Sequence, residues 1–299
     1  FLSWTLRKKY LIIVGMKKLL IKSYAKINIC LNVLGKREDK YHELDMIMVP
    51  LALHDSLLLS ELYNAEDNFV TVDDFSLGTI DYNLATFAID SLASKYKFKN
   101  KFRILIHKVI PIQAGLGGGS SNAAATLVGV NNFLKLNASK EELIEIGKKL
   151  GADVPFFINN CPARCRGIGE IMEPIQIKNN YYVLIVKPSL GCSTKQIFEI
   201  ADSMQLDVCN VDDVVEALRN GDDDLLVKSM SNALEKPAFS LNPDILYIKN
   251  MLIEKGLKIV QMSGSGSSVF ALSTNKKILN AIAEELEDKY CVEVTKILK

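Results

Sequence analysis

The sequence predicts an α+β protein of two domains, and three observations carry that prediction. The chain has 299 residues, enough for two cores at about 150 residues apiece. Its first half mixes strands of alternating polarity with helical stretches in no regular βαβ rhythm. After about Gly169 the order becomes strand, helix, strand, strand, helix, strand once extra helices are set aside, the order of a ferredoxin-like sandwich. The boundary is expected within residues 160–180, dividing the chain into 16–168 and 169–299.

The first fifteen residues carry Arg7, Lys8 and Lys9 and a short apolar stretch, Leu11 to Val14, before Lys17 and Lys18. They are too short for a membrane span and lack a small-residue cleavage site, so residues 1–15 read as an upstream extension ahead of a natural start at Met16. From Ala25 to Val33, AKINICLNV alternates: Ile27, Ile29, Leu31 and Val33 face one way, and Lys26, Asn28, Cys30 and Asn32 form a polar face on a half-buried strand. The turn GKREDK leads to a second strand over His42–Leu53, and Phe102–Ile106 is a third. Helices are expected over Leu84–Tyr96, Ser121–Leu134 and Lys140–Leu150, the last ended by Gly151. Beyond the boundary follow strand Tyr181–Lys187, helix Asp244–Glu254, strands Leu257–Met262 and Val269–Ser273, helix Lys276–Glu287 and strand Cys291–Ile297. Asp222 to Asp224 reads as a solvated helix start.

A net charge of +1 argues against a general nucleic-acid surface. Lys95, Lys97, Lys99 and Lys101 alternate with other residues and read as a solvated strand or turn face. Six cysteines without zinc spacing read as free buried thiols, in keeping with a reducing cytoplasm. No apolar run reaches eighteen residues, so no membrane association is expected. The oligomeric state is left open between a monomer and a weak dimer.

The most informative stretch is Pro111 to Ala125, PIQAGLGGGSSNAAA. Glycine lets backbone N–H groups approach phosphate oxygens and adopt positive φ, and a helix starting near Ser120 aims its free amides and dipole at the same point. A nucleotide phosphate is the expected ligand. No Gly-Lys-Ser/Thr ends the loop, which excludes a Walker A motif. The sixth place counted from Gly115 is Ser120 rather than glycine, which excludes the dinucleotide fingerprint. A flexible linker is a poor alternative, because AAATLVGV follows at once.

Asp153 in GADVPFF follows a helix end, and by itself reads as an N-cap with Pro155 in the next first turn. Its company changes that reading. A phosphate cradle, a strand lysine on a polar face and a carboxylate are what a small-molecule kinase needs. A second glycine-serine loop, MSGSGSS from Met262 to Ser268, is longer than a tight hairpin requires and would let backbone approach a ligand lying between domains.

These motifs resemble those of the GHMP kinase superfamily. SYAKINICLNVLGKREDKYHEL, PIQAGLGGGSSNAAATL, LGADVPFF and MSGSGSSVFAL occur in the expected order and span nearly the whole chain from Lys22. The resemblance implies the two-domain GHMP kinase fold, an N-terminal domain like domain 2 of ribosomal protein S5 and a ferredoxin-like C-terminal domain, with the active site in the cleft between them. It implies ATP as co-substrate, with Mg2+ expected. The first motif resembles the branch of the superfamily that phosphorylates the 2-hydroxyl of a cytidine-diphosphate methylerythritol in the non-mevalonate isoprenoid pathway. By that likeness Asp153 matches the catalytic base and Lys26 its partner. Asn28, Tyr41, His42, Thr194 and Phe198 match substrate contacts, the cytosine lying near Tyr41, His42 and Phe198. Gly264, Ser265 and Gly266 would face the substrate, and Asn83, Lys108, Pro111, Gly115, Leu116, Gly117, Gly118, Gly119, Ser120 and Ser121 would hold ATP.

Two stretches depart from the family pattern. Lys40 stands where the turn before Tyr41 has glycine, and CPARCR, Cys161 to Arg166, replaces a glycine-containing turn. Competing readings are a kinase of mevalonate, homoserine or a sugar, whose substrates carry no base for Tyr41, His42 or Phe198 to stack on, and a silent nucleotide-binding regulator, which would have little need of both Lys26 and Asp153.

Overall fold

A computed structural model describes residues 17–73 and 83–299; the expected extension 1–15 and start at Met16 lie outside them. Strands β1 (Lys18–Lys36) and β2 (His42–Leu62) form a long antiparallel hairpin; β1 is longer than expected at both ends, and β2 starts at His42 as expected but continues past Leu53. β3 (Phe69–Val72), helix α1 (Leu84–Tyr96) and β4 (Lys101–His107) follow. Helix α2 (Gly118–Leu134) starts directly from the glycine run, and α3 (Lys140–Leu150) opens on a capping box between Ser139 and Glu142. Gly151 ends α3 in extended backbone, φ 171°. Short helix α4 (Val154–Asn159) precedes β5 (Ala163–Gly167) and β6 (Ile171–Pro174).

The second half runs β7 (Tyr182–Lys187), α5 (Thr194–Ala201), α6 (Val211–Asn220), α7 (Asp223–Ser229), α8 (Glu235–Leu241), α9 (Asp244–Glu254), β8 (Ile259–Met262), β9 (Val269–Ser273), α10 (Lys276–Leu286) and β10 (Cys291–Lys296). Among the described residues the strands form two sheets. The first holds β1 to β6. The second has the order β10-β7-β9-β8, all antiparallel, which is the split βαβ arrangement expected of a ferredoxin-like unit. The first sheet takes in Ile171–Pro174, so the change of sheet falls between Pro174 and Tyr182, beyond residue 168.

Two apolar clusters organise the packing. One places α1, α2 and α3 on one face of the first sheet through Leu57, Leu59, Ile89, Leu92, Leu127 and Val130. The other joins the two sheets: Ile27, Ile29, Ile47 and Val49 from the β1–β2 hairpin meet Val183, Ile185 and Phe270 of the second sheet. Helix α2 can lie close on β1 because it is built of small residues; a Cβ at Gly129 would stand 2.1 Å from Ile21 Cδ1. No helix among the described residues is long and apolar enough to cross a membrane.

The strict alternation read into β1 is corrected by two irregularities of register, between Tyr24 and Lys26 and between Asn28 and Cys30. A bulge re-aims side chains by one position. Ile27, Ile29 and Cys30 consequently enter the cluster between the sheets, while Leu31 joins the other cluster and Val33 packs against it. The polar face is not solvated either: Lys26, Asn28, Cys30 and Asn32 are all buried. Asp223 likewise is not simply solvated, since its carboxylate accepts a hydrogen bond from the Tyr181 hydroxyl. All six cysteines are free, but only Cys30, Cys165 and Cys192 are buried; Cys161 and Cys209 are partly exposed and Cys291 is exposed.

Lys40 takes up the glycine conformation, φ 70°, in a turn where Arg37 N donates to Tyr41 O at 2.8 Å and Tyr41 N donates to Asp39 Oδ1 at 3.1 Å. The departure from glycine leaves the turn's shape intact at the cost of strain. A side chain in the left-handed region costs roughly 1–2 kcal/mol, partly offset by the greater chain entropy of glycine, so Lys40→Gly is expected to stabilise the protein by up to about 1 kcal/mol. A denaturant midpoint equal to or below that of the parent protein would contradict this.

Candidate active site

A cavity of about 610 Å³ lies between the two halves of the chain, within the size range of small-molecule sites. One wall is the glycine loop and the first turn of α2. Gly117 precedes the helix with φ 71°, and no side chain caps the helix start, leaving the first amides to face the cavity as an anion site. The loop is fixed from below by Lys26 N, which donates to Leu116 O at 3.0 Å. It is fixed from the far domain by Ser263 Oγ, which donates to Gly115 O at 3.0 Å.

Beside the loop stands the charged pair; a Cβ on Gly117 would lie 3.3 Å from Lys26 Cε. The bulge before Lys26 turns its side chain into the cavity, where Nζ donates to Asn28 Oδ1 at 2.6 Å and stands 3.6 Å from Asp153 Oδ2. Lys26 is 5% exposed, so its charge is poorly screened and acts at short range. Asp153 occupies the position before α4 but makes no capping hydrogen bond. Asp153 thus holds the N-cap position with Pro155 in the first turn, as expected, but its side chain does no capping and the carboxylate is left for the cavity. Cys165 of CPARCR is buried, and desolvation first, then the Asp153 charge, pushes its thiol up, so Cys165 supplies no reactive thiolate.

At the far end, Thr194 Oγ1 and Ser265 Oγ lie 2.9 Å apart, joining α5 to the second glycine-serine loop. Phe198 stacks on His42 with centroids 4.6 Å apart and planes inclined by 24°. The His42 ring, at 2.7 Å, and the Lys36 ammonium both hydrogen-bond Asp202 and hold its carboxyl below the ordinary range.

Of the residues expected at the site, all but Ser121, Tyr41, His42 and Gly266 line this cavity. Ser121 faces β1, its hydroxyl 2.7 Å from that of Ser23. Tyr41 is 57% exposed on its turn, His42 is turned onto Phe198, and Gly266 lies against Met262. Asn83 lines the cavity while its Oδ1 caps α1 by accepting from Ala85 N at 2.9 Å. The expectations missed Leu31, Leu44, Met46, Gln113, Asn122 and Leu234, which also line it. They further missed Asp55, which is fully buried and paired with Lys108 at 2.6 Å. Leu31 is hidden by the bulge, but Asp55 was signalled by a lone carboxylate within an apolar strand run.

The glycine cradle, the lysine–aspartate pair and the two-sheet architecture define an ATP-dependent small-molecule kinase of the GHMP class. Consistent with that, the family of GHMP kinases N terminal domains matches residues 83–160 and that of GHMP kinases C terminal domains matches residues 214–292. The chain is 38% identical over 276 residues to 4-diphosphocytidyl-2-C-methyl-D-erythritol kinase of Alkaliphilus metalliredigens, covering 92% of this chain and 94% of that protein. It is also 38% identical over 282 residues to the enzyme of the same name from Bacillus cytotoxicus, covering 93% and 97%. A crystal structure of 4-(cytidine 5'-diphospho)-2C-methyl-D-erythritol kinase superposes with a TM-score of 0.78 at 29% identity, covering 94% of this chain and all of that one. Homoserine kinase from Cytophaga hutchinsonii shares the fold, with a TM-score of 0.74 at 18% identity over 94% and 95% of the chains. The chain belongs to the 4-diphosphocytidyl-2-C-methyl-D-erythritol kinase family of the GHMP kinases.

Proposed function

We propose that this kinase transfers the terminal phosphoryl group of ATP to the 2-hydroxyl of 4-diphosphocytidyl-2-C-methyl-D-erythritol, with Asp153 receiving the hydroxyl proton. The observation that carries the reading is the approach of Lys26 Nζ to Asn28 and Asp153 within the same cavity as the start of α2. Phosphoryl transfer of this kind needs little covalent work from the protein and much positioning and charge stabilisation. Asp153 orients the acceptor hydroxyl and takes its proton. The Lys26 ammonium, fixed by Asn28, attracts the negative charge on the transferred group. The first amides of α2 and the Lys108 ammonium hold the phosphates, and the Ser263 hydroxyl fixes the loop by donating to Gly115 O.

Mg2+ would enter with the nucleotide and neutralise charge across its phosphates. The oxygen donors facing the cavity, the Asp153 carboxylate and the Ser120 hydroxyl, suit a hard cation. Free thiols throughout fit a cytoplasmic enzyme.

The stacked Phe198–His42 pair, beside the Thr194 and Ser265 hydroxyls, supports a cytidine end for the substrate. Base–aromatic stacking contributes roughly 1–3 kcal/mol, so Phe198→Ala is expected to raise KM for the cytidine substrate about 5- to 150-fold with little change in KM for ATP. Equal loss for both substrates would point to misfolding instead. The reading as a whole is tested by ADP release with 4-diphosphocytidyl-2-C-methyl-D-erythritol, mevalonate and homoserine as acceptors. Turnover confined to the first is expected; preference for either of the others would overturn the assignment.

A further inference from the structure

Strand β2 carries an acidic residue inside the apolar run LALHDSLLLS. Asp55 is 0% exposed, and a carboxylate taken wholly out of water persists only where its charge is met and its lone pairs are used. Both conditions hold. Oδ2 accepts from Lys108 Nζ at 2.6 Å, and Oδ1 accepts from the amides of Val109 and Ile110, each at 2.8 Å.

The partners of this carboxylate are the point of interest. Lys108 lines the cavity, and its ammonium lies at the first turn of α2, where a Cβ on Gly118 would stand 2.8 Å from Nζ. The helix N-terminus already makes that spot electropositive. A second cation beside it needs a counter-charge, and Asp55 supplies one. The two amides that Asp55 engages are those by which the chain leaves β4 and enters the glycine loop.

We propose that Asp55 is a positioning residue of the nucleotide site: one carboxylate oxygen aims the Lys108 ammonium at the phosphates, and the other fixes the start of the loop that cradles them. The proposal rests on the reading that Lys108 and the first turn of α2 receive ATP. Asp55 itself does not line the cavity and acts through Lys108. Asparagine at this position keeps a carbonyl oxygen for the amides of Val109 and Ile110 but presents an NH2 donor to the ammonium. Asp55→Asn therefore keeps the loop anchor and removes the aim.

The test is steady-state kinetics on the full chain carrying Asp55→Asn, Lys108→Met, or both. A charge-assisted hydrogen bond at this position predicts that each single change raises KM for ATP about tenfold or more while KM for the alcohol substrate stays within about twofold. The double variant is expected to be no worse than Lys108→Met, because residues acting as one unit are not additive. Unchanged KM for ATP in Lys108→Met would remove the reading of the site and the proposal with it. A loss in Lys108→Met with none in Asp55→Asn, or an undiminished further loss from Asp55→Asn in the Lys108→Met background, would leave the site reading standing and overturn the role of Asp55. Equal loss for both substrates in Asp55→Asn would reduce the carboxylate to a structural one. If Asp55→Asn does not fold, the unaltered protein decides by NMR of its lysine ammonium groups. The Lys108 signal, assigned by its loss in Lys108→Met, is expected to be protected from exchange and to move when AMP-PNP binds. An unmoved signal in the nucleotide-bound protein overturns the proposal.

Discussion

Asp153→Asn is expected to lower kcat by about 10²–10⁴-fold, the usual contribution of a positioned general base, with KM for ATP and for the alcohol changed little. The substitution is a clean one. Asp153 caps no amide of α4, so removing its charge leaves that helix start as it was. The amide keeps the carboxylate's shape and volume, and Lys26 retains its 2.6 Å hydrogen bond to Asn28. What is lost is the capacity to take up a proton from the acceptor hydroxyl, together with the charge 3.6 Å from the Lys26 ammonium. Single-turnover measurement separates this step from product release. Turnover within tenfold of the parent enzyme would show that Asp153 orients the hydroxyl without accepting its proton.

Gly115→Ala is expected to impair folding and catalysis together, because this glycine is where the two domains' loops touch. Its φ of +72° disfavours any side chain, and an added Cβ would stand 2.0 Å from the Ser263 carbonyl oxygen, a backbone atom that cannot swing aside. The same contact is closed by Ser263 Oγ donating to Gly115 O and by Ser268 N donating to Ala114 O at 3.3 Å. The left-handed backbone alone costs roughly 1–2 kcal/mol for a non-glycine residue. Relief of the clash by displacing the loop about 1 Å is enough to lower kcat/KM by about 10²-fold. Thermal unfolding and calorimetric ATP binding check the two effects. Gly119→Ala serves as the comparison, since its Cβ would meet nothing within 4 Å; it is expected to retain full stability. Parental ATP affinity in Gly115→Ala would mean that the phosphate cradle does not depend on the seam between the loops.

Much of this protein was legible in its sequence where the physics is local. Glycines crowded before an alanine-rich helix point to a close backbone approach; the helix begins at Gly118, inside the glycine run and ahead of the expected start near Ser120. Helix α3 runs over Lys140–Leu150 and ends at Gly151, as its pattern and the closing glycine indicated. The order of elements after Gly169 specified the second sheet down to its strand order, because a split βαβ unit has few ways to close. The side-by-side placement of Lys26 and Asn28 followed from the two-residue repeat of a strand.

Tertiary structure decided what depends on partners distant in sequence. The register shift at Ile29 sends Leu31 to the opposite face from Ile27, and nothing in AKINICLNV announces it, because the bulge is set by pairing with β2 rather than by glycine or proline. Whether Asp153 capped a helix or faced a lysine 127 positions earlier could be decided only by bringing α4 against β1. Tyr41 and His42, neighbours in the chain, part company because Tyr41 closes the exposed turn while His42 opens β2, so that only His42 meets Phe198. Asp55 stood visible in its apolar run, yet its role as the counter-charge of Lys108 exists only once β2 and β4 pair. Local chemistry thus settled which groups this protein carries. The pairing of strands settled which of them share a cavity, because a one-residue change of register moves every side chain beyond it to the other face.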